Sequence, residues 1–115
     1  MGSGSGVGMD WVLKRSDGRL VGGPTGRVDE TSWEAFSTNL VAAVREAAAT
    51  GSELVVDLKN LDYMSSRGLR ALTIAKREAG EAVRISLAAP NDRMREILAI
   101  SRYDKLFNIV DDAGA

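Results

Sequence analysis

The sequence predicts one α/β domain, a mixed and mostly parallel β-sheet packed by helices, with elements in the order ββαβαβαβ. Three observations point there. Apolar residues alternate along the chain between strand-like runs and helical spacing, as in βαβ units. Leu54-Val55-Val56 is a short continuous apolar run after a glycine, the pattern of a strand covered on both faces. And 115 residues with 44% hydrophobic content suit one core, whereas two separate cores would each be too small.

The elements follow in chain order. Met1 to Gly8 is a Gly/Ser run with only Val7 as bulk, and reads as an expression linker outside the fold, the domain proper covering 9–115. Trp11 to Lys14 and Arg19 to Val21, separated by Ser16-Asp17-Gly18, predict a hairpin that Gly22-Gly23-Pro24 then breaks. Trp33, Phe36, Leu40, Val44 and Ala47 recur at helical spacing, with Thr31 and Glu34 as a capping box and Gly51 as the stop. Trp33 and Phe36 are expected in the core.

Leu54–Val56 is expected to be a central strand, followed by a loop from Lys59 to Met64. A second helix begins at Ser65 or Ser66 and ends before Gly80, with Gly68, Leu69, Leu72, Ala75 and Ala79 towards the sheet. Val83 to Ala88 gives a strand, Pro90-Asn91 a break and cap, Met94 to Arg102 a third helix and Phe107 to Val110 a last strand.

Composition excludes more than it suggests. Fifteen basic against sixteen acidic residues leave no global field to draw nucleic acid or an anionic surface. The absence of cysteine and histidine removes disulfides, thiolate and Ser-His nucleophiles and most zinc arrangements, so neither an enzyme nor a metal site is expected, and no cofactor. No glycine fingerprint for phosphate binding occurs. No run approaches the roughly 20 apolar residues of a membrane span, and no signal-peptide pattern is present, so a cytoplasmic protein is expected.

Leu54 to Ala75 reads LVVDLKNLDYMSSRGLRALTIA. This resembles the signature of the STAS domain family, the sulphate transporter and anti-sigma factor antagonist domains. There, a buried strand ends in an acidic residue and a Ser-containing, Gly-terminated turn opens a helix. The matching residues here are Asp57, Tyr63-Met64, Ser65-Ser66-Arg67-Gly68 and Leu69. TGRVDE at Thr25–Glu30 and NDRMREILAISRYDKLFNIV at Asn91–Val110 extend the resemblance over nearly the whole domain.

The resemblance implies a STAS-like fold and a protein-interaction role. By position it makes Ser66 a phosphoacceptor, with Ser65 where the family often has aspartate. It implies an antagonist that binds an anti-sigma factor or switch-protein serine kinase while Ser66 is unmodified. Phosphorylation releases it, and a PP2C-type serine phosphatase resets it. The alternative implied by other members is a constitutive accessory subunit of a transport or scaffold complex, with Ser66 only a helix cap. Direct binding of a small molecule or nucleotide is a third, weaker possibility.

The expected docking surface is Ser65, Ser66, Arg67, Gly68, Arg70 and Ile74. Helical spacing sets Ile74 opposite the sheet-facing stripe, close to Arg67 and between Ala71 and Arg70, an outward apolar residue suited to contact. Single exposed apolar residues are nevertheless common. Arg67 departs from the family turn: a guanidinium beside the acceptor could hold a phosphate or obstruct a kinase. Asp57 and Asp62 are supporting residues, Asp57 either orienting the Ser66 hydroxyl or bonding nearby N–H groups at the strand end, and Asp62 a solvated loop residue.

Overall fold

The first hairpin is longer than its apolar runs suggest, and Trp11 explains why. In the computed structural model, which describes residues 3–6 and 8–114, β2 (Met9–Ser16) pairs antiparallel with β3 (Arg19–Val28) straight through the expected break. Gly22 is needed there for space: a Cβ would fall 2.4 Å from the Trp11 ring, which lies across the strand. Pro24, lacking an N–H, sits where β3 has left one parallel neighbour at Gly22 and meets the next only at Gly26, so its missing donor costs no ladder bond on that side. Ser3–Gly6, inside the run expected to lie outside the fold, forms β1 antiparallel to β2. Strand pairing requires only backbone groups, and β2 offers them along a free edge.

The entry to α1 (Trp33–Thr50) is built differently from the expected capping box. The cap position is Ser32, not Thr31, and its side chain makes no capping bond. Asp29 organises the bend instead. Its carboxylate accepts from the Thr31 N–H at 3.0 Å and the Thr31 hydroxyl at 2.7 Å, while its carbonyl accepts from the N–H groups of Ser32 and Trp33. The fully buried Ser32 hydroxyl donates to the Arg27 carbonyl at 2.8 Å and accepts from the Asp29 N–H at 3.0 Å. The helix ends at Gly51, in the left-handed conformation that glycine adopts at little cost.

The remaining strands build a parallel half-sheet. β4 (Glu53–Asp57) pairs with β3 and with β6 (Ile85–Ala88), and β7 (Asn108–Val110) closes the far edge beside β6. The expected loop to Met64 contains a further strand, β5 (Leu61–Met64), parallel to the end of β3. Leu61 and Met64 are its buried anchors, and four residues give too short a pattern for periodicity to reveal. α2 spans Ser66–Ala79 and α3 Asp92–Ile100, followed by a 3-10 turn at Tyr103–Lys105. Asn91 caps α3 as expected, its side-chain oxygen accepting from the Met94 N–H at 2.8 Å.

Alternation along β4 separates the two faces of the sheet. Leu54 and Val56 join Phe36, Leu40, Leu72, Leu87, Met94 and Leu98 in the main core, so all three helices lie on one face. Val55 points the other way, into a small cluster with Ala88 and Ala113. The result is the expected α/β domain with a mixed, mostly parallel sheet.

Candidate functional site

The start of α2 is fixed by close packing behind it. Met64 ends β5 buried, the Ser65 N–H donates to the Val28 carbonyl at 2.8 Å, and the helix begins one residue later. Gly68 lies against this junction: a Cβ would stand 2.3 Å from Met64 Cγ and 2.8 Å from Val28 Cγ1. The absence of a side chain at Gly68 therefore lets the first turn of α2 sit down on β3 and β5.

That placement gives adjacent serines opposite environments. Ser65 is the cap residue, yet its hydroxyl oxygen is buried and has no hydrogen-bond partner. Ser66 is the first residue of the helix proper, exposed, and no described residue bonds its hydroxyl. The helix cap expected of Ser66 in the accessory-subunit alternative thus falls to Ser65, and neither hydroxyl performs it.

Ser66 opens onto a groove of about 670 Å³ that it lines with Trp33, Arg67, Arg70 and Ile74. Two expectations are refined here. Trp33 packs against the main core but is only half-buried, its ring under the Arg67 guanidinium at 5.6 Å, because α1 starts at this residue and leaves its indole on the rim. Ile74 faces outward onto the same groove, half-buried there rather than fully exposed. α2 is covered by α1 as well as by the sheet, so its buried arc extends to Ala71, while Leu69 is only half-buried. The exposed Arg67 also forms an ion pair through Nε with Glu30, from the bend before α1. Glu30 and Trp33 are residues that sequence reasoning did not attach to the site; the only sequence signal was their position at the start of a helix.

Asp57 lies elsewhere. It continues the Val55 side of β4 and lines a separate cavity with Lys14, Val21, Lys59 and Ala89 among others, on the face away from the helices. Its carboxylate accepts from the Lys59 N–H at 3.2 Å, the strand-end role weighed from sequence, and it does not share the Ser66 groove. Asp62 is exposed on β5 rather than in a loop. Among the described residues no group of three or more acidic side chains is gathered to hold a metal ion. In the bend before α1, the bonds to Asp29 from Thr31, then Arg27 and Ser32, hold its pKa down at about 2.

A family model described as "Mlab, STAS domain" matches residues 25–111, and the chain belongs to the STAS domain family. Over 68 residues it is 41% identical to a STAS-domain containing protein of Pseudomonas aeruginosa, covering 58% of this chain and 67% of that one. It is 29% identical over 108 residues to BtrV of Bordetella bronchiseptica, named as a candidate anti-sigma factor antagonist, covering 93% and 90%. Its fold matches the anti-sigma factor antagonist SpoIIAA in the unphosphorylated form, with TM-score 0.64 and 20% identity over 90% of this chain and 88% of that one. It also matches the phosphorylated form, described as a Bacillus cell fate determinant, with TM-score 0.60 and 19% identity over 86% and 89%. The chain is therefore a STAS domain similar to the anti-sigma factor antagonist type, which is non-enzymatic. Among the described residues no helix is long and apolar enough to cross a membrane.

Proposed function

We propose that this domain is a cytoplasmic anti-sigma factor antagonist switched at Ser66. It docks on an anti-sigma factor or switch-protein serine kinase through the mouth of α2 and the adjoining groove. The observation that carries the reading is the Ser66 hydroxyl, exposed at the first residue of a helix, unbonded, and on the rim of a groove that also holds an indole and an isoleucine. A kinase can reach it without unfolding anything.

The chemistry is a phosphoryl transfer from ATP: the Ser66 Oγ–P bond forms, the bond to ADP breaks, and the hydroxyl proton leaves to a base on the kinase. The product carries roughly 1.5 to 2 negative charges beside the positive end of the α2 dipole, where charge of that sign is stabilising. The domain should therefore keep its fold, as supported by the likeness of this chain to both forms of SpoIIAA. What changes is docking, because a partner fitted to a neutral hydroxyl must now desolvate a phosphate. Removal of the ester by a PP2C-type serine phosphatase restores the hydroxyl.

Incubation with ATP and lysate of the source organism, followed by phosphate mapping, should place the modification on Ser66. Ser66→Ala should keep kinase binding, whereas Ser66→Asp should weaken it about tenfold or more, equivalent to about 1.4 kcal/mol. Equal affinity for both variants, with no phosphate on Ser66, would favour a constitutive accessory role.

A further inference from the structure

We infer that Arg67 is a phosphate-reading arginine, parked on Glu30 in the unmodified protein and transferred to the Ser66 phosphate once it forms. The inference rests on the switch proposed above and names the residues that respond to it.

Four observations converge on this arm. Arg67 and Arg70 both line the groove that Ser66 opens onto, Arg67 as the next residue on the chain and Arg70 one helical turn on. The Arg67 side chain has a defined resting place, ion-paired with Glu30 and stacked over Trp33 at 5.6 Å. That place is easily left, because the pair is exposed on both sides, with side-chain exposures of 54% and 64%, and exposed ion pairs are weak. Finally, the first turn of α2 carries no acidic side chain, so Glu30 is the carboxylate that a phosphate would have to displace.

A phosphate at Ser66 changes the balance in one direction. It offers the guanidinium fork two parallel charge-assisted bonds and nearly twice the charge of a carboxylate. It also repels Glu30. Arg67 then turns towards Ser66, the Glu30 carboxylate is released and the Trp33 ring is uncovered. The groove that the partner meets differs in shape as well as charge, although the backbone is unchanged.

The test uses phosphoserine installed at position 66 during translation, so that it needs no kinase and is independent of whether the natural partner phosphorylates this residue. The second ionisation of the phosphate, near pH 6 in a free phosphoserine, is followed by phosphorus NMR. Capture by Arg67 lowers it, and Arg67→Gln should raise it by about half a pH unit or more, with Arg67→Lys recovering only part of the effect. Glu30→Gln frees the arginine and should lower it further, and this effect should shrink in the Arg67→Gln background. An ionisation unmoved by Arg67→Gln, or a Glu30→Gln effect equal in both backgrounds, would overturn the inference. Failure of Ser66→Asp to weaken kinase binding would overturn the proposed function and leave this result standing.

Discussion

Ser65 and Ser66 are chemically identical neighbours, and the start of a helix divides them. Ser65 is held by its backbone bond to Val28 with its hydroxyl buried and unpaired, whereas Ser66 faces solvent. An N-cap serine or asparagine normally contributes about 0.5 to 2 kcal/mol through its side-chain bond. Ser65 makes no such bond and Asn91 makes one at 2.8 Å. In urea denaturation, Ser65→Ala should therefore leave stability unchanged or raise it, since it removes a buried unpaired hydroxyl, and Asn91→Ala should cost about 1 kcal/mol. A large loss at Ser65 would mean that its hydroxyl is used. This distinction is invisible in sequence, where Ser-Ser before a helical stripe fits either serine to the cap. The surface of Trp33 was equally hidden: an aromatic at helical spacing reads as core, and only the position of the α1 start turns it to the groove.

At the scale of elements, two junctions position the groove. The first is α2 against β3 and β5, which depends on Gly68. Gly68→Ala brings a methyl onto Met64 and Val28, and overpacking of this kind costs about 1 to 3 kcal/mol. It should lower the melting temperature and weaken partner binding together, unlike Ser66→Asp, which should alter binding alone. The second junction is the bend before α1, held by Asp29. The Asp29 pKa is depressed to about 2, below the ordinary carboxylate value. Its contribution is fully present above about pH 4 and is lost as pH falls through about 2. The difference in melting temperature between wild type and Asp29→Asn should accordingly be constant near neutral pH and shrink between about pH 4 and 2. A difference that persists undiminished at pH 2 would show that the bend is held by other bonds. Both helix limits at α2 and the Asn91 cap were legible, because Gly80 and Asn91 are strong local signals. The entry to α1 was not: spacing offers a capping box at Thr31, but Asp29 gives the backbone a competing turn that local spacing does not rank.

At the scale of the molecule, the placement of all three helices on one face of the sheet separates recognition from the rest of the surface. The Ser66 groove belongs to the helical face and Asp57 to the other, where its carboxylate accepts from the Lys59 N–H, the strand-end role of the two that the sequence offered. The α/β order was readable from the alternation of patterns, whereas β1 and β5 were not, one lacking apolar residues and the other being four residues long. With a formal net charge of −1, the domain gains its largest charge change from one ester at one point. The central claim is that this change acts on docking and not on architecture. The direct measurement takes the protein with phosphoserine at position 66 and its unmodified form, and compares both thermal unfolding and affinity for the cognate serine kinase. The account predicts melting temperatures within a few degrees of each other and an affinity at least tenfold lower for the phosphorylated form. A phosphorylated domain that unfolds much earlier, or that binds the kinase as tightly as before, would contradict it.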